Sequence, residues 1–355
     1  MSNMNAAIKD AADNWLMIGD ESWNKVRQRE YGKKQSLINL TPSKSDISDT
    51  ELLTHEYPKE PKLYGLAGEV AELATLDSEA DPIAVYLSFL VATAALIGKN
   101  SFIRIGETKH YPRIFTALVG NSSRARKGTS LKPVERIIHK AEEVYLTRNN
   151  AGSYSLLNIA DGGLSSAEGL IFAVRDETEE TKKNGEPIWS AVEDKRLLVV
   201  EEELANVLKM TQRQGNTLSP LIRRAWDGGN LAPMTKNNKL KATGAHINIL
   251  SHITHFELRM MLEKSEMHNG LANRFLWACV RRPKKIPFPL PMDDDKVFQL
   301  AIKLSEIMQT TQQEQEITLN NKARKVWSIA YPKISTDETG LKATLTARSE
   351  AYIIR

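Results

Sequence analysis

The chain has 355 residues, with 48 Lys and Arg against 44 Asp and Glu for a net charge of +4, and is 41% hydrophobic and 26% charged. That composition excludes a disordered or fibrous protein, and the length suits about two domains or one large α/β unit with extensions. The single cysteine, Cys279, excludes a disulfide framework and any cysteine-based zinc or iron–sulfur site, and it agrees with a reducing cytoplasmic location.

Residues 1–62 are polar and change character often, from a Trp-containing amphipathic piece to LTPSKSDISDTELLTHEYPKEPK, the composition of an arm or linker. The start, MSNMNAAIKDAADNW, carries both charge signs and no apolar core, unlike a signal peptide. A short helical pattern from Leu63 to Ala80 leads to Asp81-Pro82, a capping residue ahead of a first-turn proline. The apolar stretch that follows, Ile83 to Gly98, is shorter than the ~20 residues that span a bilayer and contains Tyr86, Ser88 and Thr93. It reads as a buried helix closed by Gly98. FIRIG and IFTALVG read as strands, and TSLKPVERIIHKAEEVYL has helical period with an early Pro133. Residues 174–195 form a charged loop before RLLVV, which has the look of a covered parallel strand, as does INIL from Ile247 to Leu250. From Asp293 onward the pattern is mostly helical, and LTARSEAYIIR stops inside an amphipathic pattern without a cap, as a truncated form would. These readings give an α/β core over 63–291 between an N-terminal arm, 1–62, and a helical C-terminal region, 292–355.

The strongest local signal is GNSSRARKGTS, with Gly120, Arg126, Lys127, Gly128, Thr129 and Ser130, set between the strand IFTALV and a helix. A nucleoside triphosphate needs backbone N–H groups curled round its phosphates, an ammonium beside them and a hydroxyl on Mg²⁺; Lys127 and Thr129 suit the last two roles. The order departs from GxxxxGK[ST], because Lys127 precedes Gly128 and the loop is longer. A basic glycine turn touching any anion is the plainer alternative. The partner signal is RLLVVEEE, four apolar residues ending in Glu201, Glu202 and Glu203. Carboxylates at such a strand end hold a metal's water shell and polarise attacking water, and Glu201 is assigned with Thr129 to the metal. If the strand continues, alternation puts Glu201 and Glu203 on one face and Glu202 on the other.

GNSSRARKGTS, GGLSSAEGLIFAVRDE, KRLLVVEEELANVL, GNTLSPLIRRAWDGG, KATGAHINILSHIT and NGLANRFLWACVRRPKKIP, in this order, resemble a family of P-loop ATPases of prophages, plasmids and other mobile elements, often found beside primase-polymerase modules. The resemblance covers about residues 80 to 355 and implies a RecA-like or AAA-like core, ATP and Mg²⁺, replication-linked ATP use, and the lysine-before-glycine loop as the family's own phosphate loop. It also implies a homo-oligomer, with a ring as the expected form, and a primase-polymerase partner. Ring ATPases place an arginine of one subunit against the γ-phosphate of the next; Arg274 is the candidate, with a snorkelling structural arginine as the alternative. His252, in SHIT, sits where a polar sensor between the phosphate and acidic strands is expected, with Thr254 less favoured and a satisfied core histidine equally open. His246, His252, His255 and His268 with Glu257 match no helical metal pair and are not read as a metal site.

From Leu204 to Pro291 there are 14 Lys and Arg against four acids, +10 in a chain of +4. That excess implies a polyanion. TKNNKLK, with Lys236, Lys239 and Lys241, suits phosphate and sugar contacts without base readout, and RRPKK, with Arg281, Arg282, Lys284 and Lys285, comes second. The leading reading is an ATP-dependent motor or loader on single-stranded or forked DNA, free of any membrane. The others are a nucleotide-dependent regulatory or defence component that does not translocate, and a DNA-binding scaffold.

Overall fold

The computed structural model describes residues 62–120, 127–151, 156–178, 180–181, 186–232, 240–262, 270–335 and 346–355, so the arm read over 1–62 lies outside it but for Lys62. The described chain begins with α1 (Gly65–Thr75) and α2 (Pro82–Ile97). As the sequence predicts, Asp81 caps α2 by accepting from the Ile83 amide at 2.9 Å, Pro82 fills the first position and Gly98 ends it. Gly98 is required twice over: its φ is +71°, and a Cβ there would sit 2.7 Å from the Arg196 Cδ.

Next come β1 (Ser101–Ile105), β2 (Thr108–His110) and β3 (Phe115–Val119), then a 3₁₀ turn, Lys127–Ser130, running into α3 (Leu131–Arg148). After these lie β4 (Ile159–Asp161), α4 (Ala167–Ala173), β5 (Arg196–Glu201), α5 (Leu204–Thr211), α6 (Leu218–Asp227), β6 (His246–Ile253) and α7 (His255–Leu262). The remainder is β7 (Leu276–Cys279), α8 (Asp294–Thr310), β8 (Gln315–Glu316), α9 (Asn321–Ile334) and α10 (Ser349–Ile354). FIRIG, read as a strand, is β1, but it pairs with β2 and β8 in a separate three-stranded sheet.

The main sheet has five parallel strands in the order β4–β5–β6–β3–β7. Every residue of β3 and β6 is buried, including Thr116, His246, Asn248, Ser251 and His252, so the sheet's centre is covered on both faces although β6 is apolar only in part. Leu198 and Val200 of β5, Leu250 of β6 and Leu118 of β3 join one apolar cluster with α2 and α3. The alternate residues Leu197, Val199 and Ile249, also buried, point to the opposite face, where α5 and α6 pack on β6. α2 is apolar on all sides because it lies between the sheet and α1 and beside α3, while α8 adds Val297, Leu300, Ala301, Leu304 and Met308 to the same cluster by packing on α3 and α1. Leu63–Arg355 is therefore a single compact unit, and the segment read as a C-terminal region, 292–355, shares its core. No helix among the described residues is long and apolar enough to cross a membrane.

The chain leaves β3 for the far edge at β4, steps back through β5 and β6, then passes over β3 to β7. The connection leaving β3 runs toward β4, whereas those through β5 and β6 to β7 run the other way, so the crevice in which open α/β sheets bind ligands is expected outside the carboxyl end of β3.

At the amino end of β6, His246 is 1% exposed and its Nε2–H donates to the Ala94 carbonyl at 3.0 Å, tying the sheet to α2. Burial, then the nearby Arg113, Lys99 and Arg196, push its pKa down to about 3. The folded value lies below the unfolded one of about 6.5, so this histidine's contribution to stability is complete above pH 6.5 and is lost as the pH falls toward 3. His246→Gln should accordingly flatten the slope of unfolding free energy between those limits, as measured by urea titrations at a series of pH values. An unchanged slope would mean the ring is not held neutral in the fold.

Candidate functional site

Three strand ends meet at the crevice. The acidic strand β5 does not continue through EEE: it ends at Glu201, and Glu202 and Glu203 lie in the turn before α5. The alternation that grouped Glu201 with Glu203 therefore does not hold, and the three carboxylates take separate roles. Glu201 is 7% exposed; one carboxylate oxygen accepts the Leu164 amide at 3.1 Å and the other the Glu203 amide at 3.0 Å. Glu203 turns toward α5, where its carboxylate accepts from the Asn206 side chain. Glu202 is exposed and reaches the KGTS turn: a Cβ added to Gly128 would lie 3.6 Å from its Oε1.

These positions revise the assignment of the metal to Glu201. Its carboxylate braces the strand end from inside, and Glu202 is the acid that faces the turn. Ser130 is likewise reassigned: it is fully buried, with its hydroxyl 3.4 Å from that of Ser88 on α2, so it anchors the turn to the core rather than facing the crevice. Gly128 and Thr129 are exposed at the start of the turn that enters the 18-residue helix α3. Gly120 closes β3 against β6 through its amide to the Ile253 carbonyl at 3.1 Å. Arg126 and the Lys127 side chain lie outside the described residues.

β6 runs between β3 and β5, the position the sensor reading requires. His252 pairs in register with Leu118 of β3, and its neighbour Ser251 with Glu201 of β5. His252 is 4% exposed, so it sits within the sheet layer one residue short of the strand's end. Thr254 instead bonds the Glu257 carboxylate at 2.8 Å, capping the start of α7. Among the described residues no group of three or more His, Cys, Asp or Glu could hold a metal ion by itself.

Two features escape the sequence reading. Gly162 and Gly163, both at positive φ, turn the chain after β4 so that the Leu164 amide meets Glu201. Their signal is the paired glycine directly after IAD. Asp161, the last residue of β4, adds a further acid to this end of the sheet: with Glu135 foremost, Asp161 and Glu202 help raise the pKa of exposed Lys132 in the first turn of α3.

The remaining candidates lie elsewhere. Arg274 is 7% exposed just before β7, with its guanidinium donating to the Gly270 carbonyl at 2.6 Å and the Asp227 carboxylate at 2.8 Å. It is a buried arginine of the turn Ala272–Arg274, paired within its own chain, and not one snorkelling from a half-buried strand. RRPKK is not a free basic loop either. The Arg281 amide donates to Asp81, Arg282 pairs with Glu79 at 3.4 Å and the Lys284 ammonium meets the Leu76 carbonyl at 2.5 Å, strapping the segment to the α1–α2 connection. Lys285 is exposed. Lys236 and Lys239 lie outside the described residues; Lys241 is exposed, and its carbonyl accepts the Asp176 amide at 2.8 Å.

Comparison of the sequence with protein-family models and with curated proteins returned no match.

The division between Glu201 and Glu202 is open to a direct test of stability. Glu201→Gln replaces an acceptor oxygen by an NH₂ group facing a buried amide and should lower unfolding free energy by about 1–3 kcal/mol. Glu202→Gln, on the surface, should change it by no more than about 0.5 kcal/mol. Urea unfolding of the two variants decides it, and equal effects would refute the separate roles.

Proposed function

We propose that this chain is an ATP-binding and ATP-hydrolysing P-loop protein with a RecA-like or AAA-like core, acting on DNA as a helicase-like replication motor or loader of a mobile element and working as a homo-oligomer. One observation carries the reading: the KGTS turn and the Glu202 carboxylate, 74 residues apart in sequence, meet across the carboxyl end of a parallel sheet in which one strand separates their parent strands. A turn presenting exposed Gly128 and Thr129 at a helix N-terminus suits phosphates, and a carboxylate opposite suits a metal's water or an attacking one.

In this reading the amides of the turn and the Lys127 ammonium would hold the phosphates, and the Thr129 hydroxyl would hold Mg²⁺ with Glu202 facing its water shell, the ion supplying charge neutralisation when bound. Glu202 takes the proton of the attacking water. Glu201 positions it, because the amides it accepts fix the turn from which Glu202 projects. His252, one strand over, senses the same end of the sheet. DNA is engaged through Lys236, Lys239 and Lys241. A non-translocating nucleotide switch is the second reading, favoured by the pairing of Arg282 with Glu79 and of Arg274 with Asp227, which commits two of the cations the composition assigned to a polyanion.

Lys127→Ala should abolish MgATP binding, whereas Glu202→Gln should keep it and reduce turnover by about 10²-fold or more, as when a positioned proton acceptor is deleted. Equilibrium nucleotide binding and phosphate release measure the two; normal turnover in Glu202→Gln would remove the proposed base. Replacing Lys236, Lys239 and Lys241 by Ala should weaken single-stranded DNA binding and flatten the plot of log K against log salt by up to about 0.7 for each phosphate no longer neutralised. Fluorescence anisotropy over a salt series reads this out, and an unchanged slope moves the DNA site elsewhere.

A further inference from the structure

Three of the sequence strings, AWDGG, ATGAH and NGLANRF, lead away from the crevice to the amino ends of the strands. Asp227 and Gly228 end α6, Gly244 precedes β6 and Arg274 precedes β7. Arg113 lies two residues before β3, and α10 brings Arg348, at its N-terminus, and Arg355 to the same place.

Their geometry converges. The guanidinium carbons of Arg355, Arg348 and Arg274 lie 3.5, 4.9 and 5.7 Å from the centre of the Trp226 ring. Arg274 and Arg348 reach opposite oxygens of Asp227 at 2.8 and 3.6 Å. Arg113 is 3% exposed, and its guanidinium rests on the bare Cα of Gly228, where a Cβ would overlap it. Tyr352 clamps the group in place: its hydroxyl accepts from the Trp226 indole and bonds the Phe115 and Arg274 carbonyls.

Four guanidiniums thus face one carboxylate among the described residues. Of the acids on the same elements, Glu350 of α10 accepts from the Ser335 hydroxyl, and farther along the sheet Asp194 pairs with Arg196 and Asp176 with Lys195. The surplus is felt locally: burial first, with neighbouring cations adding to it, lowers Lys99 to about 8 and Arg355 to about 10, and burial lowers Arg113 to about 10. The Nε groups of Arg113, Arg274 and Arg355 are buried without a hydrogen-bond partner among the described residues. Buried cations with unmet N–H groups call for an anion that has several acceptor oxygens, and guanidinium forks fit phosphate best. Access exists, because the Asp227 and Arg348 side chains are 45% and 35% exposed.

We infer that Arg113, Arg274, Arg348 and Arg355, gathered round Trp226 and Asp227, form a second anion site that binds a phosphate oxyanion at the amino end of the sheet, separate from the KGTS turn. The phosphate comes either from a small polyphosphate, free or carried by a nucleotide, or from a nucleic-acid backbone. Asp227 occupies two of the donors until the ligand arrives.

The test uses pyrophosphate and the full chain carrying Lys127→Ala, which silences the turn and keeps the result independent of the proposed nucleotide site. Calorimetry should still show one binding event. Adding Arg348→Ala or Arg355→Ala should weaken it at least about tenfold, as when a charge-assisted bond is removed. Asp227→Asn, which removes the competing carboxylate, should tighten it, a change that a purely structural arginine cluster would not produce. No pyrophosphate binding in the Lys127→Ala chain, or binding indifferent to both arginine variants and to Asp227→Asn, overturns the site. A single-stranded oligonucleotide added to the same titration separates the sources: displacement of pyrophosphate identifies backbone phosphate, and its absence identifies a small polyphosphate.

Discussion

Burying a carboxylate at the end of β5 is tolerable only because two backbone amides come to meet it, and much of the crevice follows from that requirement. The Leu164 amide reaches Glu201 because Gly162 and Gly163 turn the chain sharply after β4. The Glu203 amide reaches it because the strand stops and curls, which swings Glu202 outward over Gly128. One buried acid therefore couples the β4 exit, the β5 exit and the KGTS turn. Ser130, sealed against Ser88 of α2, fixes that turn from the other side.

The two ends of the sheet carry opposite chemistry. At the carboxyl end Glu202 lies beside the turn into α3 and Asp161 acts with it on Lys132, so in the proposed reading a polyphosphate there would need a divalent cation to offset their charge. At the amino end guanidiniums outnumber carboxylates, and an anion can bind without a metal. A chain that binds phosphate at both ends by these different means would respond differently at each to chelation of divalent cations, which separates the two sites chemically.

Local signals are legible in the sequence wherever the physics is local. The cap at Asp81, the proline at the first turn, Gly98 and the strand–turn–helix unit around KGTS depend on neighbours within a few residues, and the structure has each of them. The acidic triplet is visible but its division is not, because whether a strand runs one residue further depends on amides supplied from Leu164. The basic strings invite overreading. The net charge of RRPKK is visible in one dimension, whereas its partners Glu79 and Asp81 lie some 200 residues earlier. Gly162 and Gly163 stand in plain view, but their purpose becomes visible only once Glu201 is known to be buried.

Arg274 shows how far a single arrangement can serve two readings. A guanidinium held by Gly270 and Asp227 is already desolvated and oriented, so little further ordering is needed for it to meet an anion. Asp227 is itself half-exposed and shared with Arg348, which means it can turn to solvent or keep Arg348 while Arg274 is drawn to a stronger acceptor. A phosphate oxygen of a ligand at the proposed amino-end cluster is such an acceptor. The buried pair therefore reads as the resting partner of a cation that the amino end of the sheet keeps ready, and the neutral contact with Trp226 lets the guanidinium change acceptors without leaving its ring.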